Sequence, residues 1–190
     1  ALTAGQLAEL QDTCAQGCAH GMADDLQMIS KTEMPDYLET DLYIGGLLNR
    51  KNMHVHSLNL CLGQAQAVVS LGGKVFENSK VVAIEHGPKP LIRTAQGSVR
   101  ADKIMLAGNA YHLLEQPKLR GKLFPASLAN MATAPLSDAD AAAINPNDIA
   151  VYDGRFVLDY YRLTADKRVM FGGGTNYSGR DSQDVARQLR

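Results

Sequence analysis

The sequence predicts a mixed α/β protein, and two observations carry that prediction. Apolar residues at helical spacing follow the capping residues Thr3, Ser57 and Ser137. Short β-branched and apolar runs, separated by Gly, Pro and Asn, lie between these helices and after them. With 190 residues, 45% of them hydrophobic and 21% charged, the chain has an ordinary globular composition. We therefore expect one sizeable core or two small ones.

The first two helices are marked at both ends. Thr3 and Gln6 have the spacing of a capping box, and the apolar pattern that follows predicts a helix over about residues 4–20. Ser57 is the expected N-cap of a second helix, which the glycines at 72–73 end.

The strands are predicted from short apolar runs. The first predicted strand is at residues 41–46 and ends in a Gly turn, and a short extended piece follows at 53–56. The later strands are expected at 74–77, Val81–Glu85, Leu91–Thr94, 99 and 103–108, with a turn at Gly97. The order of helix, strand, hairpin and strand is similar to the second half of an α/β nucleotide-binding domain.

The last third of the chain predicts an antiparallel sheet. A strand is expected at 130–135, followed by a short helix that Ser137 caps and that Asn145 and Pro146 end. Two runs at 156–163 and 168–171, joined by the turn at 164–167, predict a hairpin. The sequence contains no internal repeat.

Charge and apolar run length exclude two classes of function. Nineteen basic and twenty acidic residues, with a pI near 6.6, leave no basic stripe for nucleic acid. No apolar run approaches the ~20 residues of a membrane span. Three cysteines and no signal-peptide pattern favour a reducing compartment, so we expect a cytoplasmic protein. The chain opens on Ala1 and closes within an amphipathic pattern, which suggests an excised piece.

No motif of an independent nucleotide enzyme is present, because the sequence lacks G-x-G-x-x-G, a Walker A loop and G-x-S-x-G. The Cys14, Cys18 and His20 group and the His54 and His56 pair lack further ligands at recognisable spacing, so packing or hydrogen bonding is favoured over a metal.

Two further features in the last third of the chain remain open between function and structure. Tyr160, Tyr161 and Arg162 could orient a carboxylate or amine substrate, or could form a half-buried aromatic strand with a surface Arg. The glycines at 172–174 could allow the backbone to approach a ligand closely, since glycine has no Cβ.

Several stretches, taken in order, resemble one family. They are Tyr43-Ile-Gly-Gly-Leu-Leu, His54-Val-His-Ser-Leu-Asn-Leu, Gly73-Lys-Val-Phe-Glu-Asn-Ser-Lys-Val-Val-Ala-Ile, Val99-Arg-Ala-Asp-Lys-Ile-Met-Leu-Ala-Gly-Asn-Ala-Tyr, Ala132-Thr-Ala-Pro-Leu and Asp159-Tyr-Tyr-Arg-Leu-Thr-Ala-Asp-Lys-Arg-Val-Met-Phe-Gly-Gly-Gly. The family is that of the FAD-dependent amine and amino-acid oxidases, and the last two stretches look like its putrescine-pathway branch.

The resemblance implies the middle part of a two-domain FAD-dependent oxidoreductase. Residues 57–112 would belong to the FAD-binding α/β domain, and residues 1–56 and 113–190 to the antiparallel substrate domain. Carried over by residue, it implies cofactor contacts at Val81 and Val82, on the strand whose backbone meets the adenine. It also implies cofactor contacts at Gly108, Asn109 and Ala110, in a turn that passes close to the cofactor.

The same resemblance implies substrate contacts at Met131, Tyr160, Arg162 and His56, and it names no catalytic residue. The reaction would oxidise the C–N bond of a small amine or amino acid to an imine, with hydride transfer to flavin.

The family's dinucleotide fingerprint lies N-terminal to the stretch represented here, so we expect these 190 residues alone to be inactive and without FAD. Apolar surface left by the missing strands could pair as a homodimer. The alternative is a self-contained binding domain without catalysis.

Overall fold

The computed structural model describes residues 1–109, 121–124 and 126–177. Contacts divide the chain into two compact units. One contains Ala1–His54 and the chain from Ala126 onward, and the other contains Val55–Pro125. The assignment of residues 57–112 to flavin binding, and of the flanking segments to substrate binding, stays a prediction.

The first unit opens with helix α1, Ala4–Gly17, where the Thr3 side chain accepts a hydrogen bond from the Gln6 N–H. This confirms the predicted start. A π-helical turn, Cys18–Met22, follows, and within it Gly21 has φ of +88°. That conformation costs least for glycine, which explains why the chain can turn here into the next strand.

Strands β1, Leu26–Ser30, and β2, Gly45–Asn49, form an antiparallel pair. The prediction of a strand at 41–46 that ends in a Gly turn is wrong, because β2 begins at those glycines. A Cβ at Gly45 would lie 2.8 Å from Cδ1 of Leu7 and 3.0 Å from the carbonyl oxygen of Ile29. Glycine therefore serves here to let α1 pack against the strands. A 3-10 helix, Met34–Asp36, connects the two strands.

The rest of the first unit is a four-stranded antiparallel sheet in the order β3-β6-β5-β4. Its elements are β3, Ser127–Ala132; α2, Asp138–Ile144; β4, Val151–Tyr152; β5, Tyr160–Leu163; and β6, Val169–Asn176. The Ser137 cap, the end of α2 before Asn145 and the β5–β6 hairpin are confirmed, but β5 begins four residues later than the predicted run at 156–163. Strand β3 begins three residues before the predicted strand, and β6 continues through the glycines at which the prediction stopped.

One face of this sheet contributes to the core of the unit. The core cluster consists of Ile29, Met34, Leu38 and Tyr43. Val151 and Tyr161 pack against it from the sheet, and the rings of Tyr161 and Phe171 stack with centroids 6.4 Å apart. We call the face that carries Tyr161 the core face and the opposite one the outer face.

The second unit contains helix α3, Ser57–Ser70, and an antiparallel sheet of three strands: β7, Val81–Glu85; β8, Leu91–Thr94; and β9, Ser98–Arg100. The predictions for these elements and for the turn at Gly97 are confirmed. Gly72, with φ of +85°, follows the end of α3.

Three predicted features of the second unit are wrong. The N-cap of α3 is His56, whose ring Nδ1 accepts the Asn59 N–H at 3.3 Å, so Ser57 is the first helical residue. Residues 74–77 and 103–108 form no strand, and the extended piece at 53–56 is not part of a sheet either. A strand requires a paired backbone, and no described strand pairs with these segments.

Candidate functional site

The register of the four-stranded sheet decides which predicted substrate residues share a surface. Tyr160 and Asn130 both pair with Gly172, from the two strands that flank β6. Cross-strand partners lie on the same face of a sheet, so these three residues share one face. It is the outer face, because the next residue, Tyr161, contacts the core.

Tyr160 and Asn130 close over Gly172. The Tyr160 hydroxyl donates a hydrogen bond to Oδ1 of Asn130 at 2.9 Å. A methyl group on Gly172 would overlap Oδ1 of Asn130 and the ring atoms Cε2 and Cζ of Tyr160. The protein's own side chains therefore require glycine at 172, while the close approach of a ligand to the glycines at 172–174 stays a prediction.

Arg162 lies on the same outer face, two residues beyond Tyr160 on β5, where it pairs with Met170. Its Nη1 donates to the carbonyl oxygen of Leu163 at 3.1 Å. The outer face thus carries the phenol of Tyr160, the carboxamide of Asn130 and the guanidinium of Arg162 on the two strands that flank β6. Such a surface can orient a polar substrate by hydrogen bonds and charge.

Met131 does not join this group. It pairs with Phe171, which pairs with Tyr161, so all three lie on the core face. Asn130, the preceding residue, is the one that pairs with Gly172 beside Tyr160, and the substrate contact expected at Met131 stays a prediction. The pairing register of β3 on β6 was needed to find Asn130, and that register includes an irregularity between Leu128 and Ala129.

A buried carboxylate holds the loop that leads into β5. The side chain of Asp153 is 1% exposed, and its Oδ1 accepts the backbone N–H groups of Arg155 and Asp159, each at 3.1 Å. Its Oδ2 lies 3.3 Å from Nη1 of Arg155, and this oxygen accepts no hydrogen bond within the described part of the chain. Arg155 also forms an ion pair with Asp159, next to Tyr160. The loop therefore fixes where β5 begins.

The core-face tyrosine differs from its neighbour in electrostatics. Burial raises the pKa of Tyr161 well above its ordinary value, and the hydrogen bond with Tyr43 and the Asp153 carboxylate raise the pKa further. Tyr161 is thus held as a neutral phenol inside the unit. The sequence placed Tyr160 and Tyr161 in one cluster, whereas the structure gives them different surroundings.

The predicted cofactor residues lie in the second unit. Strand β7 is at the edge of its sheet, and its register on β8 passes from Val81 directly to Ala83. Val82 is thus a bulge residue, outside the ladder to β8. An edge strand with a bulge offers backbone N–H and C=O groups to a ligand, which fits the expected contact with an adenine ring.

The second predicted cofactor segment is a turn. Asn109, which follows Gly108, has φ of +50°, a left-handed conformation that asparagine tolerates better than most residues. A tight turn of small residues fits close approach of a large cofactor. Ala110 lies outside the described residues.

The remaining candidates have local roles. His56 caps α3 through Nδ1, as described above, and it belongs to the second unit, whereas Tyr160 and Arg162 belong to the first. The Cys14 pKa is raised, first by desolvation and then by its hydrogen bond with Cys18, which disfavours the thiolate that a metal requires. His20 Nδ1 contacts the carbonyl oxygen of Gln16 at 2.8 Å.

A shallow concave surface of about 430 Å³ lies elsewhere in the first unit and contains no predicted site residue. Its lining residues are Lys31, Pro35, Glu39, Thr40, Asp41 and Tyr43. Among the helices that the structure describes, none has the length and apolar character to traverse a bilayer.

Comparison with known proteins bears on both units. The family described as FAD dependent oxidoreductase (DAO) matches residues 1–190. The chain is 38% identical over 163 residues to gamma-glutamylputrescine oxidoreductase of Escherichia coli, a match of 85% of this chain and 38% of that protein. It is also 38% identical over 158 residues to the probable oxidoreductase OrdL of Haemophilus influenzae, covering 80% of this chain and 36% of that one.

The chain therefore spans less than two fifths of the length of these curated relatives. Among solved structures, L-proline dehydrogenase from P. horikoshii is similar in fold, with a TM-score of 0.67 and 15% identity over 86% of this chain and 46% of that one. This likeness and the antiparallel sheets confirm the predicted mixed fold of helices and strands.

Proposed function

Because the chain belongs to the FAD-dependent oxidoreductase family, we propose that the protein of which it is part oxidises the C–N bond of an amine or amino acid to an imine. The preferred substrate class is an amine similar to gamma-glutamylputrescine, the substrate in the name of the Escherichia coli relative. We place the reaction in the cytoplasm, on the cysteine argument alone; Cys14, Cys18 and Cys61 are all free thiols.

The observation that carries the substrate part of the proposal is the outer face of the four-stranded sheet. Tyr160, Asn130 and Arg162 bring hydrogen-bond donors and a positive charge to one surface. These groups orient the substrate, and orientation of a reactant accounts for much of the rate gain in enzymes.

The cofactor part rests on the second unit. Val81 and Val82 on the bulged edge strand, and Gly108 and Asn109 at the left-handed turn, are the residues that would hold FAD, together with Ala110. FAD, when bound in the whole protein, supplies the acceptor for the hydride that leaves the substrate carbon. The chain's own contribution is to bind the adenine end through backbone groups and to position the amine.

The test is the visible absorption spectrum of the full-length protein, followed by anaerobic titration with gamma-glutamylputrescine and a panel of amines and amino acids. We expect a flavin spectrum that one of these amines bleaches. A colourless full-length protein, or a flavin spectrum that no amine or amino acid alters, would overturn the proposal.

A further inference from the structure

Asn130 has unused hydrogen-bonding capacity at the centre of the outer face. Its Oδ1 accepts the only proton of the Tyr160 hydroxyl, at 2.9 Å. The two amide hydrogens on Nδ2 have no acceptor within the described residues, and the residue is exposed. The side chain is therefore held by Tyr160 while both of its donors remain available.

The surroundings favour an acceptor as the missing partner. Arg162 adds a guanidinium on the same face, and guanidinium groups can only donate. Gly172, between Tyr160 and Asn130, has no Cβ, and this allows the two side chains to close over it and meet. The amide N–H groups of Asn130 and the guanidinium of Arg162 are suited to carbonyl or carboxylate oxygens.

We propose that Asn130 is a specificity-determining residue that donates from Nδ2 to an oxygen acceptor on the substrate, remote from the C–N bond that is oxidised. The acceptor is an amide carbonyl or a carboxylate. Tyr160 acts as a positioning residue, because its hydroxyl fixes the orientation of the Asn130 amide. This inference rests on the proposed amine oxidation.

The experiment uses the full-length FAD-bound enzyme and two matched pairs of amines. N-acetylputrescine and heptylamine have equal chain lengths and differ in the amide group; 6-aminohexanoate and hexylamine differ in the carboxylate. For each pair, the ratio of kcat/KM values measures recognition of the acceptor and cancels general damage to the enzyme.

Two variants remove the donors in different ways. Asn130→Ala deletes the amide, and Asn130→Asp keeps an oxygen for the Tyr160 hydroxyl but has no N–H. The control, Asn52→Asp, makes the same change at an exposed asparagine outside the outer face. We expect both Asn130 variants to lower the ratio about 3- to 10-fold for at least one pair, while the alkylamine changes less than about twofold.

The two pairs identify the acceptor. If it is a carboxylate, Asn130→Asp lowers the 6-aminohexanoate ratio more than Asn130→Ala does, because like charges repel. If it is an amide, the N-acetylputrescine ratio falls similarly in both variants. Equal losses for the polar amine and its alkyl partner, or unchanged ratios in both pairs, would overturn the inference while the proposed function stands. A wild-type enzyme that oxidises none of the amines would overturn both.

Discussion

At the scale of single residues, two adjacent tyrosines have separate roles, because neighbours on a strand point to opposite faces. Tyr160 holds Asn130 on the outer face, and Tyr161 is a half-buried neutral phenol against Tyr43. We expect Tyr160→Phe to lower kcat/KM by about 3- to 10-fold in the full-length enzyme with little change in stability, since it removes one exposed hydrogen bond.

The matched variant Tyr161→Phe is expected to do the reverse. It removes a hydrogen bond inside the unit and lowers the free energy of unfolding by about 1–2 kcal/mol, with kcat/KM nearly unchanged. Urea denaturation and steady-state kinetics of both variants check the pair. Equal kinetic losses in the two variants would contradict the assignment of the tyrosines to different faces.

A substitution at Gly172 tests the same surface, because Asn130 and Tyr160 close over this residue. We expect Gly172→Ala to destabilise the full-length protein by about 1–3 kcal/mol, because the new methyl group must displace both Asn130 and Tyr160. The control is Gly46→Ala on β2, where an added Cβ would lie 3.5 Å from Cε of Met34, an ordinary contact. If both substitutions lower the thermal unfolding temperature equally, the overlap at Gly172 is relieved without an added loss of stability.

The candidate site shows how far single residues could be predicted. That Tyr160 and Arg162 share a face follows from their spacing of two residues on one strand, which needs no partner strand to be interpreted. Asn130 could not be found in this way, since its neighbour across Gly172 depends on the register of two strands about 40 residues apart in the chain. Met131, which the resemblance implies as a substrate contact, is one position away and therefore lies on the opposite face, and its role stays a prediction.

At the scale of elements, the β5–β6 hairpin is fixed by its turn. The Asp166 carboxylate accepts hydrogen bonds from the Thr164 hydroxyl and from Nε of Arg168, each at 2.6 Å. These two donors lower the pKa of Asp166 below its ordinary value. A lowered pKa in the folded state means that the carboxylate stabilises the fold above the unfolded pKa of about 3.9, and that this stability is lost as pH falls through the folded pKa.

Asp166→Asn is therefore expected to be less stable than the wild type at pH 7. The difference should shrink as pH falls below the unfolded pKa of about 3.9 and through the lowered folded pKa, because the wild-type carboxylate then becomes protonated. Urea denaturation across this range measures it, and Asp12→Asn, on an exposed position of α1, is the control for the loss of one negative charge. A difference that stays constant with pH would exclude the carboxylate as its cause.

Elements with local signals were predicted best. The helix capped by Ser137 and the strands on either side of Gly97 are specified by residues within a few positions of one another. The prediction for β2 was wrong because Gly45 is constrained by residues that are distant in the sequence, Leu7 on α1 and Ile29 on β1. Residues 103–108 have strand-like composition, but composition alone does not supply a pairing partner.

At the scale of the whole molecule, the apolar surface of α3 leads to a prediction about association. The helix is rich in Leu, Val and Ala, yet it has no buried residue, and Leu58 and Leu62 are 61% and 52% exposed. Exposed apolar area on this scale favours self-association by about 25 cal/mol for each Å² that a contact removes from water. We expect residues 1–190, prepared alone, to form dimers or larger species, measured by light scattering.

The double substitution Leu58→Lys with Leu62→Lys is expected to shift that population towards monomer. Both leucines lie on one side of α3 at a spacing of four, so two charges there oppose any apolar contact through this surface. Gln64→Lys with Gln66→Lys adds the same charge to the same helix without removing apolar area, and it should leave association nearly unchanged. The apolar surface of α3 does not drive association if residues 1–190 scatter as a monomer at about 100 μM, within the μM–mM range in which exposed apolar surface leads to aggregation. The same conclusion follows if both double variants dissociate equally.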